Sequence, residues 1–341
     1  MTPDSDRNDL PVVLLHNCDA GWSKTEIDQA LQGARELENA MAAVGHAVVN
    51  MPVIDDDLES RLAGVDRRDC VVFNWCEELP GIPHSDAAVA RLLEQWGFTF
   101  TGSCAEVLAL AWEKIRIKAS LESSGIPTPR WKMFDKPANE GWNLFPAIVK
   151  PAMEHCSFGL TPEAVVLEPE EMKNRIAYVC DQFNQPAIVE DFIDGREFHV
   201  SIWGNGKVSM LPVAEMDFSA FDDVRDRLCT FDSKFTPGSM HYTQIQLNLP
   251  APLDRQALQR LEQTAMAAYR CIGCRDYARL DIRLRDGAFY VLDINPNPDI
   301  SQDASMACAA EAAGYSYGAM ASRLVNLAAR RHPVFGAGNR P

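Results

Sequence analysis

Four polar residues near the C-terminus have the types and spacing of a divalent-cation site: Arg279, Asp281, Asp293 and Asn295. They stand in two runs, ARLDIRL and AFYVLDIN, joined by a turn at Arg285-Asp286-Gly287. Side chains alternate faces along a strand. On that rule Arg279, Asp281 and Arg283 share one face of the first run, and Phe289, Val291, Asp293 and Asn295 share one face of the second. Leu280, Ile282 and Leu284, with Tyr290, Leu292 and Ile294, make the apolar face. The two charged sets coincide only if the turn has an odd length, so a three-residue loop with a left-handed Gly287 is expected. A two-residue Asp-Gly turn would put the carboxylates on opposite faces. Asp281, Asp293 and Asn295 together are hard oxygen ligands of the kind that suits Mg2+ or Mn2+, with phosphate oxygens completing the shell. Arg279, one pleat from Asp281, could reach the same phosphate. Alternating acids and bases also describe a solvated sheet face with Arg–Asp pairs, and these residues alone leave both readings open.

The segment that follows, DINPNPDIS, resembles the closing motif of the ATP-grasp superfamily, and ARLDIRL resembles its partner strand. The pair is most similar to the D-alanine–D-alanine ligase branch, with R-x-D on one strand, E-x-N on the next and a Pro-containing loop after it. Asp293 stands where that pattern has Glu, one methylene shorter. The resemblance implies that Asp281, Asp293 and Asn295 hold magnesium ions, and that Arg279 stabilises the transferring phosphate.

Composition sets the frame for these residues. The chain has 341 residues, 47% hydrophobic and 23% charged, the profile of a soluble globular protein of two or three domains. Its net charge of −16 lacks the basic footprint of a nucleic-acid binder. Any phosphate pocket must therefore be built from individual lysines against the protein's own field. No run is apolar and long enough for a membrane span, and MTPDSDRNDL is not a signal peptide. The ten cysteines have no regular spacing, so reduced thiols in a cytoplasmic protein are expected. Cys271 and Cys274 form a lone CxxC, which reads as core packing rather than zinc or redox chemistry.

The elements that must position the site follow in order. LPVVLLHN, HAVVNMPV, CVVFNWCEE and FTFTGS read as strands, with helices over 25–44 and 87–96. This alternation predicts a Rossmann-like α/β domain over 1–103. A long helix is expected over 104–124, and GIPTPRW links it onward. The expected fold is α/β and α+β: an ATP-grasp fold with that N-terminal domain, a central lobe at 104–193, a C-terminal lobe carrying the metal site at 194–332, and a tail at 333–341. A helix over 254–273 should bury Leu258, Leu261, Ala265, Ala268 and Tyr269.

Carried onto matching positions, the resemblance implies further roles. Lys114 would reach the nucleotide phosphates, and Lys150, ending FPAIVKP, would contact the α- and β-phosphates. The loop opened by Glu154 would close over them. It keeps Ser157 and Gly159, but has His155 and Cys156 where the family has E-G-S-S-x-G. EDFIDGREF matches E-x-x-x-x-G-x-E-F. Glu190 and Asp191 to Ile193 would form the adenine hinge, with backbone groups of Asp191 and Ile193 on the ring edge and Phe192 and Ile193 packed on its face. Glu197 would bind ribose or assist the metal. Lys234 matches a lysine that meets the γ-phosphate and substrate carboxylate, while Phe235 replaces the usual Tyr.

Asn74 and Glu77 in FNWCEE lie at a strand end, where α/β sheets bind ligands, although loop capping explains them equally well. With His155, Arg283, Ser301 and Ser305 they complete the expected substrate residues. The implied function is an ADP-forming ligase that activates a carboxylate as an acylphosphate and joins it to an amine, using ATP and magnesium. HNCDAGWS, NWCEELPGIP and Phe235 depart from the cell-wall enzymes, so a carboxylate–amine pair other than D-alanine is expected. D-alanine–D-alanine ligation itself and a non-catalytic Mg-ATP sensor are the alternatives. The partners expected are small molecules, with a homodimer through the first helix open.

Overall fold

The first strand is apolar on both faces because both faces are covered. The computed structural model describes residues 6–154 and 159–336, without the side chains of residues 234 and 235. Strand β1 (Val12–Asn17) is followed by helix α1 (Lys24–Ala43), β2 (Val48–Val53), α2 (Leu58–Leu62), β3 (Val71–Trp75) and α3 (Asp86–Gln95). The sheet order is β2-β1-β3, all parallel. Val13 and Leu15 pack against Leu58, Leu62, Val89 and Leu93 on one side. Val12 and Leu14 pack against Leu37 and Met41 of α1 on the other. Ser23, not Thr25, caps α1, in a capping box with Glu26.

Two expectations for this region are corrected. FTFTGS does not form a full strand: Phe100 makes a single parallel bridge to Val72. The chain then turns away at Gly102, whose φ of 93° is left-handed and whose amide donates to buried Asp276 at 2.9 Å. The helix expected over 104–124 is two helices, α4 (Ala105–Ala111) and α5 (Lys114–Ser123). Trp112 anchors the break. Its indole donates to Asp86 at 2.8 Å and its ring stacks on His84 at 4.1 Å.

The central sheet contains β4 (Trp131–Phe134), β5 (Ala147–Pro151) and β6 (Val165–Val166), then α6 (Pro169–Phe183) and β7 (Ala187–Asp191). Its order is β4-β7-β5-β6 and every pairing is antiparallel. The third sheet begins with β8 (Arg196–Asn205), β9 (Lys207–Met210) and β10 (Ala214–Asp217). After short helices α7 (Asp232–Phe235) and α8 (Met240–Gln244) come β11 (Gln246–Asn248), α9 (Arg255–Ile272), β12 (Tyr277–Arg285) and β13 (Ala288–Asn295). Its order is β11-β10-β8-β12-β13, with β9 on β8. Leu261, Ala265, Ala268 and Tyr269 of α9 cover it as expected, but Leu258 is exposed and Ala257 takes the inward place.

Helices α10 (Ser305–Ala312) and α11 (Tyr317–Ala329) return to the N-terminal sheet. Met306, Leu324 and Leu327 share the core of Val12, Leu14 and Phe73. Asp276 ties this junction. It accepts from Gly102, from Asn205 at 2.6 Å and from both Arg331 amino groups at 2.6 Å. No helix among the described residues is long and apolar enough to cross a membrane.

The β12–β13 hairpin departs from expectation in an instructive way. Arg285 pairs with Ala288, so the turn is the two-residue Asp286-Gly287, with φ of 52° and 79°. Leu284 therefore opposes Phe289, and Ile282 opposes Val291. Phe289 and Val291 are buried with Ile282, not on the charged face. The register then shifts by one, and Asp281 opposes Asp293 while Arg279 opposes Asn295. Leu292 is the extra residue of a β-bulge, which turns the polar end of β13 back onto the face of Asp281.

Gly195 lies where the chain passes from β7 of the central sheet to β8 of the third. A Cβ built there would overlap the carbonyl oxygen of Leu284. Gly195→Ala should lower stability by roughly 1–3 kcal/mol, the usual range for overpacking. Urea denaturation monitored by tryptophan fluorescence reads this directly, and an unchanged midpoint would contradict the close approach.

Candidate active site

One face of α5 carries two lysines a turn apart, and each meets a different sheet. The Lys118 ammonium is buried, 3.1 Å from Glu190 Oε1, and donates to Thr128 at 3.0 Å. Lys150 at the end of β5 donates to Glu190 Oε2 at 3.0 Å. Lys114 stands 3.3 Å from Asp293 Oδ2 on β13. Burial alone would raise the Glu190 carboxyl, but Lys118 and Lys150 outweigh it and hold it below the usual carboxylate range. Lys118 is depressed, first by burial and then by Lys150, with Glu190 opposing. Its contact with Oε1 is an ion pair.

The carboxylates of the hairpin lie beside this cluster. Arg279 holds Asp281 with a two-pronged contact at 2.8 and 3.0 Å. Asn295 donates weakly to the Arg279 carbonyl at 3.5 Å. The Asp281 and Asp293 side chains are 17% and 30% exposed, open enough to accept a ligand. Two opposed carboxylates and an amide oxygen, each carboxylate beside one cation, form a donor set that fits magnesium.

Glu197 and Arg283 form a second, fully buried pair at 2.6 Å. Arg283 also donates to the carbonyls of Ile193 at 3.0 Å and Arg227 at 2.5 Å, and lies 4.6 Å over the Phe192 ring. It does not reach a substrate cleft, as expected of it from sequence; it stiffens the 192–193 segment from beneath. Burial opposes ionisation of Glu197, yet Arg283 and His199 hold it well below the usual carboxylate range. The segment expected to form an adenine hinge has several of its groups already paired. The Asp191 amide donates to Arg130 at 2.9 Å, its side chain is held by Arg285 at 2.5 Å, and the Ile193 carbonyl accepts Arg283. Phe192 and Ile193 are themselves buried.

The chain matches the sequence family described as D-ala D-ala ligase C-terminus over residues 121–326. The chain belongs to that family. It is 33% identical to an uncharacterised protein, y4sG, of Sinorhizobium fredii over 80% of this chain and 78% of the relative. It is 28% identical to a D-alanine–D-alanine ligase of Pseudothermotoga lettingae over 88% of this chain and 95% of that one. The fold is similar to that of the D-alanine–D-alanine ligase of Bacillus anthracis solved with ATP, at a TM-score of 0.69 and 20% identity, covering 97% of this chain and all of the other. The fold is therefore ATP-grasp, and the protein is a D-alanine–D-alanine ligase-like enzyme of the ADP-forming carbon–nitrogen ligase class.

The remaining expected residues of this ligase are placed variously. Glu154 accepts from Gln185 at 2.8 Å and lies 3.9 Å from His84, in the turn before α3. Ser157 and His155 lie outside the described residues, as does the Lys234 side chain. Asn74 is buried and caps its own loop, accepting from Cys76 at 3.3 Å, so the capping explanation describes it. The Ser301 hydroxyl is spent on Asp299, and the Ser305 hydroxyl meets His199 Nδ1 at 3.2 Å. Cys274 is core, as expected of the CxxC.

Glu77 does face open space. Asn17 fixes its loop by accepting from the Glu77 amide at 2.6 Å and donating to the Glu78 carbonyl at 2.5 Å. The Glu77 side chain is solvent-accessible, with other carboxylates near it. Its carboxyl is pushed up to about 7, by reduced hydration first and by the charges of Asp299, Glu78 and Asp86 next.

Sequence reasoning missed Lys118. Only the spacing of Lys118 from Lys114 in KIRIK hinted at a shared face.

Glu190→Gln leaves two lysines facing a neutral partner and should cost about 3–5 kcal/mol, the range for breaking a buried ion pair. The Glu190 value is depressed on folding from 4.5. Its stabilisation is therefore complete above the ordinary carboxylate range and is lost as pH falls through the depressed value. The gap between wild type and variant in urea unfolding should be widest near neutrality and narrow below about pH 4. A gap constant from neutrality to acid would contradict the pairing.

Proposed function

We propose that this ligase joins the carboxylate of one D-alanine to the amine of a second through an acylphosphate, converting ATP to ADP and phosphate. The observation that carries the phosphoryl-transfer half is the single face of α5, which meets Glu190 and Lys150 on one side and Asp293 on the other. The substrate half is supported by the family membership and by the named activity of the relatives. These outweigh the loop departures that led the sequence toward another substrate pair.

In this reading the substrate carboxylate attacks the γ-phosphorus in line and ADP leaves. Lys150 draws the α- and β-phosphates to the end of β5, while Lys118 stays buried and holds Glu190 and Lys150 in register. Arg279 and Lys114 offset charge on the phosphoryl group as it moves, and Glu197 meets the ribose. Magnesium bound by Asp281, Asp293 and Asn295 would supply further neutralisation of phosphate charge. The amine then attacks the acyl carbon and inorganic phosphate leaves. Positioning and charge neutralisation account for the rate without a protein nucleophile. The acidic corner of Glu77 and Asp299 receives a substrate ammonium group.

A second reading, ligation of a different acid and amine on the same machinery, is favoured by Phe235 in place of Tyr and by the sequence HNCDAGWS. ADP release separates the two. With magnesium and D-alanine alone, wild type should form ADP and a dipeptide, and Asp281→Asn should fall to background. Stimulation only by other amino acids would favour the second reading, and no nucleotide-induced rise in melting temperature would defeat both. The KM for the amino substrate should fall as pH rises through about 7, when Glu77 gains its charge, and Glu77→Gln should flatten that profile. A flat wild-type profile would remove Glu77 from the site.

A further inference from the structure

Behind the hairpin carboxylates lies a cluster of which the proposed ligase chemistry uses Glu197 alone, at the ribose, and assigns nothing to His199 and Cys229. Glu197 and His199 are alternate residues of β8, so they point to the same face, and Cys229 approaches from the loop after β10. All three are buried. One carboxylate oxygen, one ring nitrogen and the sulfur lie within 4.8 Å of one another, and Glu197 Oε1 is 3.8 Å from His199 Nε2. Among the described residues this is the one such group of histidine, cysteine and acidic side chains.

We propose that Glu197, His199 and Cys229 form a site for a thiophilic divalent cation of the zinc class, separate from the magnesium carboxylates. Bonds of about 2.0 Å to nitrogen and oxygen and about 2.3 Å to sulfur require the three donors to close by roughly an ångström, within the reach of side-chain rotation.

The surroundings supply what such ligands need. His199 Nδ1 meets the Ser305 hydroxyl at 3.2 Å. With that nitrogen donating its proton, Nε2 turns its lone pair toward Glu197 and Cys229. The other oxygen of Glu197 is held by Arg283 at 2.6 Å, which orients the carboxylate and leaves Oε1 for the cation. Asp281 Oδ1, 3.9 Å from His199 Nε2, marks how near the two sites are. They differ in donor type. Thiolate and imidazole select zinc-class ions, whereas Asp281, Asp293 and Asn295 offer oxygen alone and select magnesium. Binding the cation deprotonates the Cys229 thiol, and the proton passes to solvent.

The test uses the full chain without nucleotide, stripped by a chelator and titrated with cobalt and then zinc. One equivalent of cobalt should bind with thiolate-to-metal charge-transfer absorption and the visible bands of a four-coordinate ion, and zinc should displace it. Cys229→Ser and His199→Gln should each abolish those bands. Ser305→Ala should weaken binding by roughly 10–100-fold, the cost of losing an outer partner. The double variant Cys271→Ser, Cys274→Ser should bind as wild type does. X-ray absorption of the zinc-loaded wild-type protein gives an answer that needs no variant: one sulfur with nitrogen and oxygen supports the site. No sulfur, two or more sulfurs, or cobalt bands that survive in Cys229→Ser would overturn it.

Discussion

The site depends on the register of one hairpin. An Asp-Gly turn of two residues sets Ile282 against Val291 and fills the core between β12 and α9. Continued without interruption, that register would carry Asp293 to the face opposite Asp281. The bulge at Leu292 changes the phase after the core has been satisfied. Packing and ligand presentation thus occupy successive halves of the same strand, and neither compromises the other. A bulge at this point agrees with the general use of bulges to re-aim side chains beside functional sites.

Around the hairpin, charge is arranged against a net charge of −16. Phosphate recognition cannot draw on a basic surface, so the cations come singly from separate elements: Lys114 and Lys118 from α5, Lys150 from β5, Arg279 from β12. Glu190 in the interior keeps two of them from repelling one another. Its cost in hydration is large, and only the pair of lysines makes an ionised carboxylate tolerable there. The same logic recurs at Glu197 with Arg283 and at Asp276 with Arg331, each joining segments distant in sequence. These buried carboxylates connect the central sheet, the C-terminal sheet and the returning helices to the face where the phosphates are proposed to lie.

Much of this was legible in the sequence, for reasons that also explain what was not. The run VVLLHN announced a strand covered on both faces, and the alternation in ARLDIRL announced its faces correctly. DINPNPDIS carried the family. The faces of Phe289 and Val291 were misread because period-two reasoning has no place for an inserted residue. The break between α4 and α5 was invisible because Trp112 is fixed by Asp86 and His84, contacts that no local pattern encodes. Lys118 went unremarked because its partner, Glu190, lies on β7, far along the chain. Arg283 looked available because it sits in phase with Arg279 and Asp281, yet Glu197 on the neighbouring strand claims it. Local pattern thus revealed elements and motifs, while the pairing of charges across elements needed the fold.

The most direct measurement is of manganese binding, by electron paramagnetic resonance, to the double variant Asp281→Asn, Asp293→Asn. Both substitutions keep the size of the side chain and leave the core pairs Ile282–Val291 and Leu284–Phe289 untouched. The account predicts a folded protein that has lost nucleotide-dependent manganese binding, with wild type retaining it under the same conditions. Undiminished binding in the double variant would show that the opposed carboxylates are not the metal site and would contradict the account at its centre.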